Sequence, residues 1–427
     1  MSLSRRFILI NFFAFIYATV SFLIAQPWIN SLAEVLKNFN LSLMIVLFIA
    51  IVPGYLNMLI LVSLLMYRYE PVKIKNEELP PITLIIPAYN EEDVIRDTCR
   101  GIKQQNYPNK IEVIFVNDGS TDNTLKELQK TKLDNLKIIE AGHKGKANAL
   151  NLGMKASSYE IIVTIDADTF LYKNAIKMIV ARIISNPEYA AVAGHVLIKN
   201  ERASRLIRIQ SWDYMLGISA VKRQQSFFGG TLVAQGSFSV FRKSALFDVK
   251  GWRDRLGEDI VLTWALLRKG YKIGYEPAAF AFTNAPPDYS QLFRQRQRWA
   301  RGMIEGLRDH FGLIWHGKVY ASYFVAMDLL FPFMDFFFTF IFIPGLILAF
   351  FGYFYVAGLM TLLVIPITIF IIIIMLNTQK KFMEYAGLKI RYNPVAVVFY
   401  ILIYQLIMSP ICVVGYAKEL LALKKKW

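Results

Sequence analysis

Cysteine is nearly absent from this chain. Its 427 residues include two, Cys99 and Cys412, in very different surroundings. That speaks against a disulfide framework and against a cysteine-based metal site. Histidine is almost as scarce, at four, and none has the spacing of a zinc site. Acidic side chains are outnumbered, 32 against 48 Lys and Arg, for a formal net charge of +16. Such an excess suits nucleic acid, anionic lipid or a phosphorylated substrate. No helix-turn-helix, zinc finger or other nucleic-acid motif accompanies it, so no nucleic-acid partner is expected. What the chain has in abundance is apolar surface: it is 55% hydrophobic, with a mean hydropathy of +0.38. Membrane spans are therefore sought before any fold.

Ser4-Arg5-Arg6 precedes an apolar run over residues 7–25, close to the ~20 residues that cross a bilayer. A cleavable signal peptide competes, but Ala25-Gln26-Pro27 is a poor small-residue cleavage site. A second run, 41–66, ends at Tyr67-Arg68-Tyr69, an aromatic and basic anchor, and Pro53-Gly54 predicts a kink within it. Basic residues flank the start of the first run and the end of the second, which puts both on the cytoplasmic side. Beyond Arg301 the chain turns apolar again. Residues 316–327 read as an interfacial helix, and 329–351, 356–376 and 394–416 as three spans, the last interrupted by Ser409-Pro410. Counting spans sets the Lys380-Lys381…Arg391 loop inside and the Lys424-Lys425-Lys426 tail outside, although both are basic. Five spans are retained, with the last re-entrant, interfacial or at odds with the charge rule. The expected layout is residues 1–68 as two transmembrane helices, 69–301 as a cytoplasmic domain, and 302–427 as interfacial helix and spans. The chain is thus expected in the plasma membrane, crossing it several times.

Between these runs the composition is that of an α/β domain. Thr83-Leu84-Ile85-Ile86-Pro87 predicts a strand, with a helix opening at Tyr89-Asn90-Glu91-Glu92. Glu112-Val113-Ile114-Phe115-Val116 predicts the next, closed by the turn cluster Asn117-Asp118-Gly119-Ser120-Thr121-Asp122. A third strand follows at 137–140, a helix at 144–156, and a fourth strand at Ile161-Ile162-Val163-Thr164-Ile165. Alternation of this kind implies a mostly parallel, Rossmann-like sheet, whose ligands bind beyond the carboxyl ends of the strands. The fourth strand runs directly into Asp166-Ala167-Asp168-Thr169. Two acids one residue apart suit Mg²⁺ or Mn²⁺, which need only one or two carboxylates when phosphates complete the shell. A plain surface turn is the competing reading of the same four residues.

Six segments decide between them by their company: Ile86-Pro87-Ala88-Tyr89-Asn90-Glu91, Val116-Asn117-Asp118-Gly119-Ser120-Thr121-Asp122, Gly145-Lys146-Ala147-Asn148-Ala149-Leu150-Asn151, Asp166-Ala167-Asp168, Gly257-Glu258-Asp259 and Gln295-Arg296-Gln297-Arg298-Trp299. As an ordered set they resemble the membrane-embedded, inverting glycosyltransferases of family 2. That group includes chitin-oligosaccharide, hyaluronan and cellulose synthases, and the layout is most similar to the poly-β-1,6-N-acetylglucosamine synthases. The resemblance implies a GT-A domain joined to a transmembrane helical bundle, processive synthesis of a β-linked polysaccharide from a UDP-sugar, and UDP-N-acetylglucosamine as the leading donor. The growing chain, the lipid bilayer and an accessory membrane subunit are the implied partners. A transferase adding one sugar to a lipid carrier is the alternative, and an inactive transport or scaffold protein a further one.

Beside the resemblance, the chemistry assigns roles. Tyr89 offers an aromatic face to the base, and Asp118 an acceptor for a base or ribose donor. Glu91 joins them on the donor side. Lys146, Arg298 and a divalent ion on Asp166 and Asp168 would neutralise the diphosphate as UDP leaves. By family carry-over the general base is Asp259, with Glu258 beside it on the acceptor side. Trp299 is the expected stacking platform for the acceptor, with Gln295 nearby; Ala234-Gln235-Gly236-Ser237-Phe238 resembles the acceptor loop, adding Gly236 and Ser237.

Overall fold

The computed structural model describes residues 1–388 and 393–423; Arg391 and the lysines of the 424–426 tail lie outside the described residues. Eight strands make one sheet: β1 (Ile82–Ala88), β2 (Ile111–Asn117), β3 (Leu136–Glu140), β4 (Ile161–Ile165), β5 (Phe170–Leu171), β6 (Tyr189–Ile198), β7 (Phe238–Arg242) and β8 (Lys272–Thr283). Their spatial order is β3-β2-β1-β4-β7-β6-β8-β5. The half from β3 to β4 is parallel throughout. β7 lies antiparallel to both β4 and β6, and β5 antiparallel to β8, so the sheet as a whole is mixed. Strands of the parallel half read as continuous apolar runs because both faces are covered. Ile85, Ile114 and Ile162 pack into one core cluster, while Leu84, Ile86, Phe115 and Val163 pack into the other.

Two helix starts differ from expectation. The first helix after β1 begins at Ile95, not at Tyr89. The intervening residues are tied instead to the loop after β2: Asn90 N–H donates to Ser120 Oγ (3.0 Å), Thr121 N–H to Asn90 Oδ1 (2.8 Å), and Glu91 N–H to Thr124 Oγ1 (2.7 Å). Side-chain acceptors captured these amides before a helix could. The second helix spans Lys146–Ala156 rather than starting at 144, because Gly145 holds a φ of 88° that no helical residue adopts.

Five helices among the described residues are long and apolar enough to cross a membrane: Leu3–Leu36, Phe39–Met66, Val319–Phe350, Pro366–Tyr385 and Pro394–Leu420. Phe12, Phe15 and Leu23 on the first stand more than half exposed, as lipid-facing side chains would. The kink expected at Pro53 takes the form of a π-helical turn, Leu47–Ile51, just before it. The interfacial helix expected at 316–327 is not separate; from Val319 it runs on into the third candidate span. Within that span Asp335 is buried and accepts from Ser409 Oγ at 2.5 Å and Tyr416 Oη at 2.8 Å.

The last helix is tied to the α/β domain along its length. Tyr404 Oη donates to Asp213 (2.9 Å), Lys418 Nζ to Gln297 Oε1 (3.1 Å), and Glu419 bridges Arg301 (3.0 Å) and Arg308 (2.9 Å). Tyr404 and Glu419 are separated by about 22 Å of helix axis, yet both touch the domain. This helix therefore lies alongside Tyr289–His310 rather than pointing away from it.

Candidate active site

The tip of β4 turns sharply. Thr169 N–H donates to Asp166 C=O (3.0 Å), so Asp166-Ala167-Asp168-Thr169 is a turn as well as an acidic pair. Both aspartates open into a cavity of about 410 Å³. Lys146, Gly236, Ser237, Glu258, Asp259, Gln295, Arg298 and Trp299 share its walls. Eight positions singled out in the sequence, drawn from four separate segments, thus meet the aspartate pair around one space. Tyr89, Glu91 and Asp118 stand outside it, on the loops after β1 and β2.

Lys146 is the electrostatic hinge. Its ammonium lies 2.6 Å from Asp166 Oδ1 and 3.1 Å from Glu258 Oε1. Burial disfavours its charge, but Asp166 and Glu258 outweigh burial and hold its pKa above the ordinary lysine value. Gly236 is what admits it: a Cβ there would sit 2.6 Å from Lys146 Nζ. Burial raises Glu258, against the pull of Lys146. Asp168 accepts from Thr283 Oγ1 (2.9 Å), and its pKa is raised by burial and by Asp166 beside it. Burial pushes Glu91 up to about 7, helped by Asp168, Asp166 and Asp122.

Among the described residues no cluster of three or more His, Cys, Asp or Glu could hold a metal. The fit of a divalent ion rests instead on two hard-oxygen ligands, Asp166 and Asp168, whose mutual repulsion a cation would relieve. With phosphate oxygens filling the remaining positions, this donor set suits Mg²⁺ or Mn²⁺.

Asp118 is buried, and its two oxygens accept from Lys144 N–H and Gly145 N–H at 2.8 Å each. Its immediate work is to shape the loop that launches Lys146. Tyr89 stacks on His143, centroids 4.4 Å apart, and remains 42% exposed. Asp259 opens the helix Glu258–Arg268, with Oδ1 accepting from Ile260 N–H at 2.8 Å. Gly257 and Gly302 bring that helix against Tyr289–His310: a Cβ on Gly257 would lie 2.6 Å from Gly302 Cα. This contact sets Asp259 beside Arg298 and Trp299.

Trp299 is braced by Arg296, whose guanidinium lies 4.1 Å from its ring centroid and is itself paired with Asp213 at 2.9 Å. The sequence reading took Arg298 from this run and passed over Arg296; the i, i+3 spacing of Arg296 and Trp299 was the available signal. Gln295 Oε1 is buried without a hydrogen-bond partner among the described residues. Lys222, Gln235, His195, Tyr214 and Thr283 also line the cavity and were missed. All but Gln235 sit in stretches with no motif.

Residues 83–249 match the family described as Glycosyl transferase family 2. This stretch is a family 2 glycosyl transferase domain. Poly-β-1,6-N-acetyl-D-glucosamine synthase of Staphylococcus aureus (strain MSSA476) is 38% identical to the chain over 239 residues, 55% of this chain and 58% of the relative. The synthase of the same name from Staphylococcus epidermidis is 37% identical over 247 residues, 57% and 60% of the two chains. The chain thus matches less than two thirds of the length of these relatives. A mannosyltransferase from Pyrobaculum calidifontis, solved in complex with GDP-Man and Mn²⁺, superposes with a TM-score of 0.62 at 18% identity, over 89% of this chain and 99% of that one. That likeness establishes the GT-A-like fold of the glycosyltransferase domain and the helices around it.

Proposed function

We propose that the chain is a processive, inverting glycosyltransferase that polymerises a β-linked polysaccharide from a UDP-sugar, with UDP-N-acetylglucosamine as the preferred donor. The observation that carries this is the opening of Asp259, Lys146, Trp299 and the Asp166–Asp168 pair on one cavity. The named relatives, both poly-N-acetylglucosamine synthases, support the choice of sugar.

In this reading Tyr89 presents its open face to the uracil, and Asp118 holds the neighbouring loop in shape. Lys146 and Arg298 face the diphosphate. Bound at Asp166 and Asp168, Mg²⁺ or Mn²⁺ supplies positive charge where UDP gains negative charge. The acceptor sugar lies on Trp299, near Gly236, Ser237 and Gln295. Asp259 takes the proton of the acceptor hydroxyl as its oxygen attacks the anomeric carbon from the face opposite UDP. The new C–O bond forms as the bond to the diphosphate breaks, the electron pair leaves with UDP, and the configuration inverts.

The polymer would leave past the apolar helices, since bare lipid cannot satisfy its hydroxyls. A path next door is supported by Gln379, on the fourth candidate span, which donates to Ser219 Oγ of the cavity wall at 2.7 Å. The cytoplasmic setting rests on the basic flanks of the first two apolar helices.

Purified chain with UDP-N-acetylglucosamine and Mn²⁺ should release UDP and build a ladder of products on a gel. A single product one sugar longer than the acceptor would leave transfer intact and remove polymerisation.

A further inference from the structure

The cavity contains a second lysine that the mechanism above does not use. Lys222, on the helix Ser219–Phe227, is buried and shares the cavity wall with Asp259. Its ammonium donates to Gln235 Oε1. Gln235 is fixed in turn, its Nε2 donating to Gly194 C=O (2.7 Å) and Phe238 C=O (3.2 Å). Among the described residues no carboxylate lies within ion-pair distance of Lys222, and Gln235 is its one hydrogen-bond partner. Lys146, in the same cavity, is held by two carboxylates.

The polar groups of the adjoining wall are bonded to one another rather than to it. His195 Nδ1 pairs with Pro277 C=O (2.9 Å) and Nε2 with Gln379 Nε2 (3.1 Å), while burial keeps the ring neutral with a pKa of about 3. Tyr275 Oη and Ser219 Oγ pair with each other at 3.1 Å. Two of the three Lys222 N–H bonds thus have no protein acceptor among the described residues, on a side chain that lines the cavity. A buried ammonium so placed is costly unless something enters to accept from it. Consistent with this, burial drops its pKa to about 7, against the opposing pull of Asp259. A lysine serving only to prop Gln235 needs no such cavity-facing donors, and a neutral glutamine would do.

We propose that Lys222 is an acceptor-binding residue, donating hydrogen bonds to oxygens of the terminal saccharide unit whose hydroxyl is deprotonated by Asp259. The inference rests on the transferase reading of the site and adds a specificity contact to it. A saccharide fits the need, since its ring and hydroxyl oxygens accept while the aromatic walls, Tyr214 and Trp299, cover its apolar face.

The test uses the full chain in detergent with UDP-N-acetylglucosamine, Mn²⁺ and a β-1,6-linked N-acetylglucosamine oligosaccharide. Lys222→Met should raise the acceptor KM roughly tenfold or more, the loss of a charged hydrogen bond. UDP binding should stay as in the wild type, and Lys222→Arg should recover part of the loss. An acceptor KM within about twofold of wild type in Lys222→Met overturns the proposal, as does an equal loss of UDP binding in a folded variant. Should Lys222→Met fail to fold, wild-type protein decides: the oligosaccharide must slow acetylation of Lys222 by acetic anhydride, read by peptide mass spectrometry, and unchanged labelling overturns the role. Absence of any metal-dependent UDP release from the wild type would overturn the transferase reading instead, so the two failures are distinct.

Discussion

At the strand-tip end of the cavity charges meet counter-charges inside the protein. Lys146 sits between Asp166 and Glu258, and Asp168 is held by Thr283. At the helix-lined end the walls are aromatic and amide, Trp299 leans on Arg296, and Lys222 faces the space with no carboxylate partner. The difference follows from what each end would hold. A diphosphate carries several charges that must be matched, and a network of paired ions can exchange partners without leaving any charge bare. A neutral saccharide asks for oriented donors and flat faces instead.

Four substitutions would sharpen or break this contrast. Asp259→Asn should cost the most, roughly 10²- to 10⁴-fold in turnover, with UDP binding intact; ordinary turnover would remove the proposed base. Asp168→Asn comes next. It should weaken Mn²⁺-dependent UDP binding by about tenfold or more, and a chelator should reproduce the effect in the wild type. Binding that ignores both would mean the acidic pair is only a turn. Gly236→Ala pushes a methyl into the position of Lys146 Nζ and should lower kcat/KM for the donor about tenfold, with little change in Tm. If instead the acceptor KM alone moves, the boundary between the two ends lies elsewhere. The smallest effect is expected from Thr283→Val, which strips Asp168 of one hydrogen bond and should cost a few-fold in metal affinity, measured by Mn²⁺ titration of UDP release.

The last helix is bound to the domain by contacts that charge counting does not anticipate. Charge counting left the 424–426 lysines on the wrong side of the membrane. Contacts of Tyr404 with Asp213 and of Glu419 with Arg301 and Arg308 hold that helix against the domain.

Sequence alone reached the parallel half of the sheet, the apolar helices and most of the cavity's charged residues. Periodicity, strand ends and short motifs are local, and local order is what a linear chain displays. It could not reach β7, which enters between β4 and β6 from a loop rather than from a crossover helix. Nor could it see that Asp118 spends its oxygens on Lys144 and Gly145. Lys222 stayed hidden for the same reason. A lysine's meaning depends on which acids stand within a few ångströms of it, and those distances come into being only when distant segments pack together.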